Sequence, residues 1–177
     1  GGNAVISDEQ FQQVMDEQTE HLFRIAYYYT KNVHVSQDIV QDTFVKFYTT
    51  KAYEHRGEVK AFLSRITINL CKDYLKSWSY RKIIVKEKLL PQRAEKQQDA
   101  LLLKDERDLL DEAILSLPLK QREAIVYFYL EQMPIREIAA LLELSDNTVK
   151  SRLRSGKKLL KDKLADVEWE VLIDASI

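Results

Sequence analysis

Two apolar stripes at helical spacing, separated by a short break, mark the stretch from Ile135 to Lys163. The first stripe consists of Ile138, Leu141 and Leu142, and the second of Val149, Leu153 and Leu160. The break falls at Leu144 and Ser145. Ser145 is a good N-cap because its hydroxyl can accept a hydrogen bond from an orphan amide of the next turn. The sequence therefore predicts a helix-turn-helix whose second helix begins at Asp146.

The second of these helices has a polar and basic outward face. If its apolar stripe faces inward, side chains three or four residues apart share the opposite face: Asn147, Lys150, Ser151, Arg154 and Lys158. The segment carries about five net positive charges, the electrostatic condition for meeting phosphates. The face fits a DNA major groove. A solvated surface helix is the alternative, and the helix-turn-helix context favours DNA binding.

The composition indicates an all-α protein. Only 4 glycines and 3 prolines among 177 residues leave little material for the turns of an all-β fold. The chain is 45% hydrophobic, which suffices for one ordinary domain or two small ones. Its net charge of −1 gives no argument for nucleic-acid binding, so any such argument must rest on local clusters of basic residues.

Cysteine usage and hydropathy bear on the compartment. Cys71 is the one cysteine, which excludes an internal disulfide and fits a reducing compartment, and we expect it to be buried or half-buried. No stretch approaches the roughly 20 consecutive apolar residues that span a bilayer. The N-terminus also lacks the basic segment followed by an apolar segment that is typical of a signal peptide. We expect a cytoplasmic protein that does not insert into the membrane.

The first half of the chain predicts three helices. Ser7 can cap a helix that begins at Asp8 and runs to a turn at Thr30–Asn32. We expect Ser36 to cap the second helix, whose buried face comprises Ile39, Val40, Phe44, Phe47 and Tyr48. The opposite side is left for solvent or a partner and carries Asp38, Gln41, Asp42 and Lys46.

The third helix, predicted from Ala61 to Tyr80 after a loop, interleaves aromatic and polar or basic side chains. The aromatic residues include Phe62, Tyr74 and Trp78, and the polar ones include Asn69, Lys72 and Lys76. Aromatic faces stack on bases while lysines follow the phosphates, so the pattern suits single-stranded nucleic acid. The alternative is that the aromatic residues are core, as those at helical spacing usually are.

The chain divides between these helices and the second half. The apolar pattern frays from Lys86 to Asp105, where Pro91 stops any helix and the residues that follow are polar. We predict a first domain at 8–88, a linker at 89–105, a second, four-helix domain at 106–168, and a tail at 169–177 whose role the sequence does not assign.

Three stretches in this order resemble the sigma-70 family of bacterial transcription initiation factors, in the compact form called extracytoplasmic-function (ECF) sigma factors. They are SQDIVQDTFVKFY from Ser36, VKAFLSRITINLCKDYLKS from Val59, and LPLKQREAIVYFYLEQMPIREIAALLELSDNTVKSRLRSGKKLL from Leu117. The run TVKSRL from Thr148 is the sharpest match. The resemblance extends from about Phe11 to Leu164 and implies two small helical domains, sigma region 2 and sigma region 4, joined by a flexible linker.

The resemblance also implies partners and site residues. Region 2 would bind the clamp helices of the RNA polymerase largest subunit through Asp38, Gln41 and Asp42. It would hold the opened −10 promoter element through His55, Arg56, Phe62, Asn69, Lys72 and Lys76. Region 4 would meet the polymerase flap and read the −35 element as duplex through Asn147, Thr148, Lys150, Ser151, Arg152, Arg154 and Lys158. A membrane-anchored anti-sigma factor is the usual regulator in the family.

The chain departs from the family pattern at three positions. Phe62 stands where Trp is common and preserves stacking. Ser64 stands where Tyr is common, and Ser155 where Arg is frequent, which removes a ring and a phosphate contact. These changes bear on promoter preference more than on function.

Two other classes of function compete with this one. A stand-alone helix-turn-helix regulator that binds duplex DNA as a dimer explains Ile135 to Lys163 but leaves the aromatic and basic helix and the polar linker without a role. An enzyme is poorly supported, because His21, His34 and His55 are scattered and no phosphate-binding glycine loop exists. We therefore expect no catalytic residues, metal or cofactor.

Overall fold

The computed structural model describes residues 6–50, 58–77, 81–82, 85–86 and 106–164. The chain forms two compact units, residues 1–81 and residues 82–177. Within the described ranges every regular element is a helix, so the expected all-α class is confirmed. His55, Arg56, the predicted linker at 89–105 and the predicted tail at 169–177 lie outside the described residues, and the domain limits stay a prediction.

The first unit consists of α1 (Asp8–Thr30), α2 (Val33–Thr49) and α3 (Val59–Lys76), each packed against the other two. Ser7 caps α1 as predicted: its hydroxyl accepts from the Gln10 amide at 3.2 Å, and its own amide donates to the Gln10 side chain at 3.1 Å. This reciprocal pair satisfies two amide donors at the start of the helix. The long helix therefore begins where the sequence places it.

The start of α2 differs from the prediction. The cap is Asn32, whose side-chain oxygen accepts from the Val35 amide at 3.0 Å. Ser36 is buried one turn later, where its hydroxyl donates to the Asn32 carbonyl at 2.6 Å and lies 2.9 Å from the Thr30 hydroxyl. Lys31, at φ 57°, turns the chain within a single residue, so the second helix starts earlier than the apolar pattern suggests.

One cluster within the core of the first unit comprises Leu22, Val40, Phe44, Phe47 and Leu63. Burial of side chains of this size contributes roughly 1.5–3 kcal/mol each. Between α2 and α3 the core also holds a polar contact, the Thr43 and Thr67 hydroxyls at 2.9 Å. The Thr43 hydroxyl donates to the Ile39 carbonyl at 2.8 Å and so accepts from Thr67, and neither hydroxyl carries the cost of burying an unpaired polar group.

Two predictions for this unit are wrong in detail. Tyr48, assigned to the buried face, is 62% exposed, because it follows the core residue Phe47 and so lies about 100° further around α2. The third helix ends at Lys76 rather than Tyr80, since Ser77 has extended backbone. Trp78 lies outside the described residues.

The second unit contains α4 (Glu106–Leu115), α5 (Leu119–Ile125), a π-helical turn (Val126–Leu130), α6 (Ile135–Leu142) and α7 (Asp146–Lys163). The predicted four-helix arrangement is present when the π-helical turn is taken with α5. Its buried apolar residues are Ala113, Ile114, Leu117, Ala124, Ile125, Val126, Tyr127, Ile138, Ala139, Val149, Leu153, Leu160 and Leu164.

The π-helical turn ends the α5 segment. The Glu131 amide donates to the Val126 carbonyl five residues earlier, and the Met133 amide donates to Tyr127, both at 3.0 Å. Gln132 then adopts φ 54° and reverses the chain. Pro134, which lacks an amide hydrogen, precedes α6 without leaving a donor unsatisfied.

Candidate nucleic-acid interface

The turn between α6 and α7 is built from local hydrogen bonds. Glu143 ends α6 in the left-handed region, and its amide and that of Leu144 both donate to the Ala139 carbonyl. The Ser145 hydroxyl accepts from the Thr148 amide at 3.1 Å and lies 2.8 Å from the Thr148 hydroxyl. The predicted N-cap and the predicted start of the second helix at Asp146 are therefore confirmed.

The inner side of α7 is the predicted apolar stripe. Val149 and Leu153 are fully buried and Leu160 is 2% exposed. On α6, Ile138 is fully buried, whereas Leu141 and Leu142 are half-buried. This packing fixes which side of α7 faces outward.

The outward side of α7 carries five residues that the sequence singled out. All five are exposed, and we call this set the reading face: Asn147, Lys150, Ser151, Arg154 and Lys158. Two of them are neutral hydrogen-bonding side chains and three are cations, which is the mixture needed to bond base edges and phosphates. The reading face is long enough to follow a groove for about three helical turns.

Two other residues predicted to touch DNA lie elsewhere on α7. Thr148 is half-buried and belongs to the cap. Arg152 has a side chain only 20% exposed, and its Nη1 atom lies 3.8 Å from the Oε1 atom of Glu123, whose side chain is 5% exposed. The structure thus brings Arg152 to α5 and not to the reading face.

The helix pair α5 and α7 meets at a glycine. A Cβ atom at Gly156 would lie 2.8 Å from Cγ1 of Ile125 and 3.3 Å from Cβ of Gln121. Such distances leave no room for a side chain, so glycine permits the close approach. At the far end of α7, the Lys163 ammonium donates to the Ser116 hydroxyl at 2.7 Å.

A second polar side is found on α3 in the first unit. Asn69 and Lys76 are exposed, and Phe62 and Lys72 are half-buried. At about 100° per residue these four lie within an arc of about 80°, so they share one side of the helix. The Phe62 ring centroid is 6.0 Å from that of Phe47, so the ring is partly core and partly available at the surface.

Ser64, one of the departures from the family pattern, points away from this side. It is 4% exposed, and its hydroxyl donates to the Lys60 carbonyl at 2.7 Å and lies 3.2 Å from Nε2 of His21. The change at this position therefore bears on the packing of α1 against α3 rather than on a nucleic-acid surface.

A third surface lies on α2 and is mixed in character. Asp38, Gln41 and Asp42 are exposed, as the sequence predicts. Val45 and Tyr48, at 59% and 62% exposure, lie on the same side at helical spacing. The sequence interpretation did not single out Val45 and assigned Tyr48 to the buried face; their spacing of four and seven residues from Gln41 is the signal that would have placed them on this side.

Other kinds of site receive no support from the described residues. Among them, no three histidine, cysteine, aspartate or glutamate side chains are placed to hold a metal ion. Cys71 is fully buried, and burial raises the pKa of its thiol to about 12. Of the helices described, none is both long and apolar enough to cross a membrane.

Comparison with known proteins identifies the family of each unit. The family model for Sigma-70 region 2 matches residues 17–79, and the model for Sigma-70, region 4 matches residues 107–160. The chain is 25% identical over 174 residues to the ECF RNA polymerase sigma factor SigW of Bacillus subtilis, covering 89% of this chain and 90% of that protein.

Two further relatives extend the comparison. The chain is 29% identical over 160 residues to the ECF RNA polymerase sigma factor SigE of Mycolicibacterium smegmatis, covering 86% of this chain and 61% of that longer protein. The sigma factor RpoE of Bartonella quintana, solved in complex with the anti-sigma factor NepR, shares the fold with a TM-score of 0.66 at 19% identity, covering 90% and 99% of the two chains. The two family models together match more than half of the chain, which therefore belongs to the sigma-70 family, in its extracytoplasmic-function group.

Proposed function

We propose that this chain directs RNA polymerase core to promoters by reading a −35 element as duplex and a −10 element as opened single strand. The observation that carries the proposal is the exposed reading face on α7, held at a capped turn of a helix-turn-helix. Lys150 and Arg154 bond guanine edges or phosphates in the major groove, and Asn147 and Ser151 position them.

The −10 element would be held by the first unit. Opening duplex DNA without ATP requires that unstacked bases find new stacking and hydrogen-bonding partners. Phe62 supplies a ring, Asn69 an amide, and Lys72 and Lys76 follow the phosphates along the same side of α3. His55 and Arg56 belong to the same predicted site.

The surface on α2 is the proposed contact with polymerase core. Its carboxylates, Asp38 and Asp42, set charge complementarity with a basic partner, and Val45 and Tyr48 add the apolar area that protein interfaces bury at their centres. The clamp helices of the largest subunit are the expected partner of this surface, and the flap is the expected partner of the second unit. A protein that acts through these contacts would work in the cytoplasm.

Regulation by an anti-sigma factor is part of the proposal. The Bartonella relative was solved with such a partner, which supports the same kind of regulator for this chain. A membrane anchor on that partner is expected from the family. An anti-sigma factor that covers the α2 surface would compete directly with polymerase.

The proposal is tested by permanganate reactivity of thymines at the −10 element. Holoenzyme reconstituted from core and the full chain should expose these thymines in a promoter selected by that holoenzyme from random duplex. Asn69→Ala should lower the reactivity while leaving core binding unchanged, because Asn69 touches only the opened strand. Lys60→Ala is the control, since Lys60 is exposed on the opposite side of α3. Unchanged reactivity in Asn69→Ala would refute the role of Asn69 in holding the opened strand. If the wild-type holoenzyme exposed no thymines, the proposal that it opens the −10 element would itself be refuted.

A further inference from the structure

Arg152 is placed differently from its basic neighbours on α7. Each residue advances the helix by about 100°, so Arg152 lies about 160° around the axis from both Lys150 and Arg154. Those two are exposed, whereas the Arg152 side chain is 20% exposed and faces α5. An arginine on this side of α7 cannot enter a groove that the reading face occupies.

The partner of Arg152 is a buried carboxylate. Glu123 lies on α5 with a side chain 5% exposed, and its Oε1 atom is 3.8 Å from Nη1 of Arg152. A buried carboxylate is stable only where cations or donors offset its lost hydration. The ion pair therefore ties a defined point of α7 to a defined point of α5.

A second contact lies one turn further along α7. Gly156 follows Arg152 by four residues and meets Ile125, two residues after Glu123, with no space for a Cβ atom. The apolar stripe decides which side of α7 faces outward, the glycine permits the close approach of the two helices, and the ion pair adds a contact that can hold the rotation of α7 more closely within that orientation. Rotation is the variable that decides whether the reading face points at DNA.

We propose that Arg152 and Glu123 are positioning residues for −35 recognition: the pair fixes the rotation of α7, and Arg152 itself does not contact DNA. This inference rests on the proposed function and replaces the role that the family resemblance implied for Arg152.

The sign of a charge change separates positioning from a DNA contact. Removal of a carboxylate beside a DNA-binding helix should tighten binding if charge alone matters, because DNA is an anion. Positioning predicts the opposite result: Glu123→Gln weakens binding per folded molecule. The salt dependence gives a second criterion, since each phosphate contact contributes about 0.9 to the slope of log K against log salt concentration.

The experiment measures the affinity of reconstituted holoenzyme for a −35-containing duplex that the wild-type holoenzyme selects, at several salt concentrations. We expect Glu123→Gln and Arg152→Gln each to weaken binding about three- to tenfold with the wild-type salt slope. The losses of the two single variants should not add in the double variant, because both remove the contact that the two residues share. Lys158→Gln, a matched change on the reading face, should lower the slope by about one phosphate contact.

Three results would overturn the proposal: tighter or unchanged binding by Glu123→Gln, a reduced salt slope for Arg152→Gln, or additive losses in the double variant. Should the Gln variant fail to fold, Glu123→Asp keeps the charge and shortens the side chain, so weakened binding supports positioning and wild-type binding refutes it. If the wild-type holoenzyme selects no duplex, the proposed function itself is refuted. If the wild type selects a duplex but the variants behave as above, only the positioning role of Arg152 and Glu123 is refuted.

Discussion

Glu143 stands at the turn of the helix-turn-helix with φ 57°, in the region that favours glycine. A residue with a Cβ atom loses roughly 1–2 kcal/mol there. Glu143→Gly should therefore raise the free energy of unfolding of the second unit by about 0.5–1 kcal/mol, after the greater flexibility of glycine in the unfolded chain is counted. Urea unfolding measures the change.

The matched control for that variant is Ala140→Gly, on the exposed side of α6. There the backbone is helical and glycine should destabilise by about 1 kcal/mol. Equal effects of the two substitutions would contradict the argument from backbone conformation.

Cys71 provides a prediction on pH. Burial raises the pKa of its thiol from 9.0 to about 12, so the folded state keeps a proton that the unfolded state loses. Below pH 9 the thiol is protonated in both states and its contribution is constant. Between pH 9 and pH 12 the stability should fall by up to about 1.4 kcal/mol per unit.

Unfolding measured against pH for the wild type and Cys71→Ala isolates this contribution, because the variant lacks the group that titrates. Iodoacetamide at pH 8 should likewise modify the unfolded chain and spare the folded one. Rapid modification of the folded chain would contradict the burial of this thiol.

Gly156 governs the packing of one helix on another. In Gly156→Ala the new methyl group would meet Ile125 at 2.8 Å, so α7 must shift away from α5. We expect a loss of about 1–3 kcal/mol in the free energy of unfolding, as for other overpacked sites. Ser155→Ala, exposed and adjacent, should change stability by less than about 0.5 kcal/mol. Calorimetric unfolding compares the two, and similar values would rule out the close contact.

The exposed side of α2 predicts a loss of affinity for polymerase core that exceeds any loss of stability, because Tyr48 is 62% exposed although its ring centroid lies 5.0 Å from that of Phe11. Tyr48→Ser should weaken the affinity for polymerase core by about tenfold, because large aromatic side chains contribute most where interfaces exclude water. Lys60→Gln is the control, since Lys60 is exposed on α3 and is not part of the α2 surface. Competition with a labelled sigma factor for core measures both, and an unaffected Tyr48→Ser would exclude this side of α2 as the contact.

The helices themselves follow from local patterns in the sequence. Apolar spacing predicted the buried stripe of α7, and the caps at Ser7 and Ser145 depend only on residues within one turn. The cap at Asn32 was not predicted, because it depends on the left-handed turn at Lys31. Which of the adjacent rings of Phe47 and Tyr48 faces the core is set by packing, since Phe47 meets Phe11 and Phe62 from the other two helices. The inward position of Arg152 likewise depends on Glu123, which is distant in sequence.

In the proposed function, each of the two units presents a surface that reads DNA. Each surface by itself offers only a few base contacts, and each good bidentate pair is worth about 1–3 kcal/mol of discrimination. Once one of two linked sites has bound DNA, the other site is held near the same DNA at a high effective concentration. Two surfaces of modest affinity can therefore select a promoter that neither would select alone. In the proposed function, polymerase core supplies the framework on which both surfaces bind DNA.

Run-off transcription tests this account most directly. With a promoter selected by the holoenzyme, a transcript of defined length should form only when core and this chain are both present. Arg154→Ala should reduce its yield on duplex and on pre-opened templates, whereas pre-opening the −10 element should restore the yield of Asn69→Ala. Tight binding to a palindromic duplex without polymerase, together with no transcript in the presence of core, would contradict the account and identify a stand-alone regulator.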